Sequence, residues 1–295
     1  MGRYLGQHFL INKNKLKKIV EALELKSGDT IIEIGPGHGE LTKEIIERLK
    51  DLKIERFKII AIEKDKKLVE FLRKKISEDK NIEIIHGDAL KILPQIVKLI
   101  LRTSDVLRLK IVGNIPYYIT GRLLRVLSEL ENKPSLIVLT IQKEVAQRII
   151  AESPRMNLLA ASVQFWAKPE IIGYISRKDF RPAPEVDSAI IRFNIRRFDL
   201  PKLSPILRRS NLQEIKDKYY RLIRVLFRQP RKTILNNVLE AEKRGFIRII
   251  EADKRGFLSK KLHKIGVSPS DRPQNLTIKQ IIKLSSIFLS VVSSQ

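Results

Sequence analysis

The stretch Asn114-Ile115-Pro116-Tyr117-Tyr118 sets an amide, a rigid ring and two aromatic faces at one point of the chain. An amide oxygen accepts a hydrogen bond from an exocyclic amine. Proline fixes its own φ and keeps the residue before it out of regular helix. An aromatic ring stacks on a base. Together these groups suit the holding of a nucleobase by its amino group. Spacing alone does not say whether Tyr117 or Tyr118 meets the base.

Two acids and a glycine turn extend this chemistry. Gly35-Pro36-Gly37-His38-Gly39 follows an apolar run and precedes a helical one. Glycines there let the backbone approach a ligand where a Cβ would collide. The spacing is G-x-G-x-G, and the dinucleotide pattern G-x-G-x-x-G would need glycine where Glu40 stands. Glu63 ends the next apolar run, where a carboxylate can accept from two neighbouring ribose hydroxyls. Asp88 ends the one after that, again at a carboxyl end of the kind where ligands of open α/β sheets bind. Either acid alone reads equally well as a helix cap or a surface charge. Two after one glycine turn do not arise readily by chance.

The elements that must position these groups are legible as alternating periods. Strands are expected over 30–34, 58–62, 82–86 and 109–112, with helices over 40–50 and 66–76 between them. Past Tyr118, a helix starts at Thr120 or Gly121, a strand covers 135–141, and a helix covers 143–149. The run 160–166 reads as helix or strand. Strands are expected at 170–175 and 189–194, joined by a loop stiffened by Pro182 and Pro184. This alternation over 28–195 argues a mostly parallel sheet with helices on both faces. Before it, Leu16, Ile19, Val20 and Leu23 mark a helix flanked by Lys13, Lys15, Lys17 and Lys18. After it, Pro201 and Pro205 mark a linker, and helices are expected over 218–228, 234–251, 256–265 and 278–289. In the first of these, Arg221, Arg224, Arg228 and Arg231 form one basic stripe if the helix reaches that far. The expected organisation is an N-terminal segment 1–27, an α/β domain 28–199 and a smaller basic helical domain 200–295.

Composition narrows the partners. The chain has 295 residues, 43% of them hydrophobic, enough for a real core. Without cysteine it has neither disulfides nor thiolate metal sites, and no metal is expected. No apolar run is long enough for a membrane span, and Met1-Gly2-Arg3-Tyr4 starts no signal core, so a soluble cytoplasmic protein is expected. Lysine and arginine number 58 against 33 acids, a net charge of +25. Of this, +10 falls in residues 1–180 and +15 in the shorter remainder. A thermophilic surface would carry balanced ion pairs, so a polyanion, nucleic acid foremost, accounts better for the excess.

Six ordered blocks carry a resemblance that spans nearly the whole chain. They are Gly6-Gln7-His8-Phe9-Leu10, Glu33-Ile34-Gly35-Pro36-Gly37, Gly87-Asp88-Ala89, Asn114-Ile115-Pro116-Tyr117, Gln142-Lys143-Glu144-Val145-Ala146 and Pro184-Glu185-Val186-Asp187-Ser188-Ala189. Together they resemble the rRNA adenine N6,N6-dimethyltransferases of the KsgA type. The resemblance implies a Rossmann-like methyltransferase sheet with a C-terminal helical domain, and S-adenosylmethionine as methyl donor. Its acceptor would be adenine N6 on adjacent adenosines near the 3′ end of small-subunit rRNA. The partner would be an immature ribosomal subunit, met by a monomer.

Carried over residue by residue, His8 and Leu10 close the cofactor site, and Gly35 and Gly37 admit its methionine part. Glu63 holds the ribose, and Asp88 the cofactor's adenine. Asn114, also near the cofactor, accepts from the target amine together with the Ile115 carbonyl or a neighbouring one, in a turn set by Pro116. Tyr117 stacks on the target base and Phe180 covers its other face. Arg221, Arg224, Arg228, Arg231 and Lys232 contact RNA. Where the family often has Phe-x-x-Arg-Arg-Lys-Thr, this chain has Pro230 in place of one arginine, which puts one RNA contact in doubt. The tail Asp271-Arg272-Pro273-Gln274-Asn275-Leu276 resembles the ribosome-biogenesis branch. The alternatives are a resistance-type methylase of large-subunit rRNA and a non-catalytic assembly factor.

Overall fold

Strands buried on both faces need near-continuous apolar sequence, and such runs make the centre of this structure, a computed structural model. It describes residues 7–76, 79–103, 108–196, 212–246 and 252–289. The chain divides into two compact units, Met1–Gln147 with Ala167–Ile195, and Arg148–Trp166 with Arg196–Gln295.

The first unit begins with β1 (Phe9–Leu10) and α1 (Lys13–Glu21), followed by β2 (Thr30–Ile34), α2 (Glu40–Asp51), β3 (Lys58–Glu63) and α3 (Lys66–Ile76). Next come β4 (Ile82–His86), α4 (Ala89–Thr103), β5 (Leu109–Asn114), α5 (Thr120–Glu129), β6 (Leu136–Gln142) and α6 (Lys143–Ile149). After α7 (Leu158–Gln164), which belongs to the second unit, the chain returns as β7 (Ala167–Ile175), β8 (Phe180–Arg181) and β9 (Ser188–Ile195).

Seven strands form one sheet in the order β4-β3-β2-β5-β6-β9-β7. The first five are parallel, and β9 runs antiparallel to both β6 and β7. Strand order reverses between β2 and β5, so a crevice opens past their carboxyl ends. Gly113 in β5 allows close approach there, since a Cβ would stand 2.6 Å from the Ile34 carbonyl oxygen. Ile19, Leu23, Ile31, Ile45, Leu49 and Ile59 form a dry core between α1, α2 and the sheet.

The second unit contains α7, α8 (Leu212–Leu226), α9 (Ile234–Lys243), α10 (Lys254–Lys264) and α11 (Ile278–Leu289). Phe165 stacks on Tyr219 at 4.2 Å, and the buried Tyr219 hydroxyl donates to the Ala161 carbonyl. These contacts tie 148–166 to the helical unit, whereas the expected boundary at 199 left that stretch with the sheet. The expected linker at Pro201 and Pro205 lies outside the described residues, as do Gly6 and 247–251.

Four expectations about these elements are corrected. Helix α4 was not foreseen, because Pro94 interrupts its periodicity. The stretch after Phe180 is not all loop, since Phe180–Arg181 pairs antiparallel with Phe9–Leu10. The basic stripe does not form, because α8 ends at Leu226 and leaves Arg228 and Arg231 in the turn beyond. Pro230 has no N–H to offer the Leu226 carbonyl and cannot continue the helix. Beyond it the buried Asn237 amide donates to the carbonyls of Gln229, Lys232 and Thr233 and holds the turn closed. Likewise α9 ends at Lys243, just before Gly245 at φ +73°.

Candidate functional site

One cleft in the first unit collects the sequence-expected residues. His8, Leu10, Gly35, Gly37, Glu63, Asp88, Asn114, Pro116, Tyr117 and Phe180 all line it. Its volume is about 1100 Å³, the open mouth included. The five basic residues, Arg221, Arg224, Arg228, Arg231 and Lys232, belong to the second unit and are exposed.

The floor of the cleft is the turn between β2 and α2. Gly35, Gly37 and Gly39 all have positive φ, at 67°, 61° and 85°. A Cβ on Gly35 would meet nothing within 4 Å, so that backbone is open to a ligand. On Gly37 it would strike Phe9 at 2.7 Å. Phe9 packs on His38, with ring centres 4.5 Å apart, and so fastens the N-terminal segment over the turn.

Glu63 is buried at the tip of β3. One of its oxygens accepts from the Gly37 amide at 3.1 Å, the other from the amides of Lys64 and Asp65. It therefore braces the glycine turn as well as lining the cleft. Asp88 accepts from the Leu90 amide at 3.0 Å and from Lys64 Nζ at 3.0 Å. Partial burial pushes its pKa up, but the Lys64 and Leu90 contacts outweigh that and leave it below the usual aspartate value. Lys64 is more than half exposed, so this pair holds Asp88 only weakly.

Glu33, which opens the Glu33-Ile34-Gly35-Pro36-Gly37 block, is the most perturbed acid in the cleft. Burial drives its pKa up to about 7, against a hydrogen bond from the Thr42 hydroxyl at 2.6 Å and with help from the charges of Glu40 and Glu63. Its other oxygen, Oε1, is buried without a partner among the described residues. The available signal was an acid inside the apolar run Ile31-Ile32-Glu33-Ile34, a strand with no solvent face.

Asn114 sits at the end of β5, facing the N-terminal segment. Its Nδ2 donates to the His8 carbonyl at 2.8 Å. A carbonyl only accepts, so this bond fixes the amide's orientation and leaves Oδ1, which has no partner among the described residues, as an acceptor. His8 itself is held by Nδ1, 2.9 Å from the Pro182 carbonyl. Tyr117 begins a short 3₁₀ turn, Tyr117–Ile119, and its hydroxyl lies 2.6 Å from Ser188 Oγ. Burial raises the phenol's pKa, the Ser188 hydrogen bond lowers it, and Asp187 adds a smaller upward push; the net shift is upward. Phe180, buried in β8, pairs with Leu10. The bonds from Ile11 N and from Asn12 Nδ2 to Asp179 complete this clasp.

Known proteins resemble this chain over nearly its whole length. Curated relatives include a ribosomal RNA small subunit methyltransferase A of Dehalococcoides mccartyi, 36% identical over 94% of this chain and 84% of its own. The protein of the same name from Clostridium botulinum is 33% identical over 98% and 94%. Among solved structures, a dimethyladenosine transferase from Plasmodium falciparum has a TM-score of 0.69 and 25% identity, covering 94% of this chain and 96% of its own. The 23S rRNA methyltransferase ErmE shares the fold, with a TM-score of 0.68 at 23% identity, covering 94% of this chain and 98% of its own. The family model for ribosomal RNA adenine dimethylase matches residues 2–262, and the chain belongs to that family.

Proposed function

We propose that this protein is a methyltransferase that uses S-adenosylmethionine to dimethylate N6 of adjacent adenosines near the 3′ end of small-subunit rRNA. In this reading it acts as a cytoplasmic monomer on an immature ribosomal subunit. The cleft suits such a cofactor. Glu40, Glu63 and Asp88 line the cleft against the cations Lys64 and Arg122, and Glu33, its pKa raised to about 7, adds a partly ionised carboxyl, in a chain of net charge +25. A molecule with a sulfonium and an ammonium group matches that lining. The open backbone at Gly35 admits its amino-acid end, and Glu63 and Asp88 suit its ribose and adenine. Lys64, weakly held, can yield Asp88 to an adenine amine.

When bound, the cofactor supplies a methyl group already activated by the sulfonium. The protein's own work is then to present the acceptor. Asn114 Oδ1, its direction set by His8, accepts from the target amine, and the Ile115 carbonyl gives a second acceptor. Two such bonds draw the amine nitrogen toward pyramidal geometry and free its lone pair from the ring. Tyr117, anchored through Ser188, stacks on the base, and Phe180 covers the opposite face. Stacking of this kind, about 1–3 kcal/mol per base, offsets the cost of unstacking the base from RNA. The exposed Arg221, Arg224, Arg228, Arg231 and Lys232 would contact phosphates.

The fixed amide of Asn114 is the observation that carries this reading. In Asn114→Ala, methyl transfer should fall about 10²- to 10³-fold, the range for losing one positioned polar contact. Cofactor binding, followed by calorimetry, should persist. An unchanged dimethyladenine yield would remove the role assigned to the amide.

A further inference from the structure

A 3₁₀ turn has three residues per turn, so consecutive side chains leave it about 120° apart. This separates the two tyrosines of Tyr117–Ile119. Tyr117 is half-buried and tied to Ser188, whereas Tyr118 beside it is 54% exposed. Both line the cleft. One turn further, in α5, the Arg122 guanidinium carbon stands 5.9 Å from the centre of the Tyr118 ring. Arg122 is exposed, lines the same cleft and pairs with no carboxylate among the described residues.

The mouth of the cleft thus carries a ring outside the core and a cation without a counter-ion among the described residues. Neither is explained by packing or by an ion pair within the fold. A nucleic acid strand supplies both missing partners close together: a base with a π face and a phosphate joining it to the next nucleoside. Arginine over a tyrosine also strengthens the ring's hold on a base.

We propose that Tyr118 and Arg122 form a second nucleotide station. Tyr118 stacks on the base next to the target adenine in the RNA strand, and Arg122 holds the phosphate between the two. The proposal rests on the reading that adenine in RNA is the substrate. With two adjacent adenosines as targets, the station keeps one in place while its neighbour occupies the Asn114 pocket. Because it touches no reacting atom, it binds the ground state and the transition state alike. Its loss therefore raises KM and leaves kcat in place.

The test uses the full chain and its Tyr118→Ala, Tyr118→Phe and Arg122→Gln variants. One arm measures methyl transfer to immature small subunits. The other measures fluorescence of a small-subunit rRNA hairpin carrying 2-aminopurine next to the target adenine. The wild type and Tyr118→Phe should quench the probe. Tyr118→Ala should lose the quenching and raise KM for RNA about tenfold, the order expected for one lost stack, with kcat within about twofold. Arg122→Gln should lower the slope of log affinity against log salt by about one. Quenching and KM unchanged in Tyr118→Ala would overturn the station while leaving the pocket reading intact. So would a fall in kcat at constant KM. A wild-type protein that transfers no methyl to adenine would overturn both.

Discussion

Asn114 turns one backbone contact into directed chemistry. Its amide has a donating and an accepting end, and the His8 carbonyl takes the donating one. Glu33 offers a separate test at this scale, because its pKa is raised from 4.5 to about 7 in the folded chain. Between those values the folded state keeps a proton that the unfolded state releases. Stability therefore falls as pH rises through that window, by on the order of 3 kcal/mol in all. Glu33→Gln should abolish the loss, so its stability relative to wild type should grow between pH 4 and pH 8 in urea titrations. Parallel profiles would contradict the burial of an ionisable Glu33. Gly37→Ala should lower cofactor affinity about tenfold or more in calorimetry. The added Cβ needs a left-handed φ, costing about 1–2 kcal/mol, and displaces Phe9. Retained affinity would separate the turn from cofactor binding. Glycines and strand-end acids were legible in the sequence because their positions follow from strand length. The bracing of Glu63 by three amides, and the pairing of Lys64 with Asp88, were not, because both depend on where a neighbouring loop folds back.

Among the elements, the two-residue pair β1 and β8 does the most for its size. It joins Leu10 to Phe180 across the chain and closes the cleft from the N-terminal side. No local period announces so short a strand, and the partner lies some 170 residues away. Long elements were read well: β2, α3 and β4 have the expected bounds, since each keeps its period throughout. Helix α4 escaped because Pro94 disfavours helix at the residue before it. The basic turn after α8 shows how a tertiary contact overrides spacing. Pro230 stops the helix and Asn237 closes the turn beyond it, so Arg228 and Arg231 leave the helical face that Arg221 and Arg224 share. If those two helical arginines meet phosphates, Arg221→Ala with Arg224→Ala should reduce the salt slope of RNA binding by about one to two. Filter binding from low to moderate salt gives the slope, and an unchanged value would move the RNA surface elsewhere.

At the scale of the whole molecule, charge is divided by task. The chain is strongly basic, yet in the lining of this cleft the carboxyl groups of Glu33, Glu40, Glu63 and Asp88 outnumber the cations Lys64 and Arg122. A basic exterior suits RNA, and an acidic cleft suits a cationic donor. No helix of the described residues is long and apolar enough to cross a membrane, and no cluster of metal-ligating side chains occurs among them. The α/β class was legible from the alternating periods over 28–195, and the family from six ordered blocks. The division of the chain was not, because Arg148–Trp166 joins the helical unit through Phe165 and Tyr219. The central claim is tested most directly by nucleoside mass spectrometry of rRNA. Immature small subunits and, separately, naked large-subunit RNA are incubated with the protein and isotopically labelled S-adenosylmethionine. The account predicts labelled N6,N6-dimethyladenosine at adjacent positions near the 3′ end of the small-subunit RNA, and none in the large-subunit RNA. Label confined to large-subunit RNA, or no dimethyladenosine in either, would contradict it.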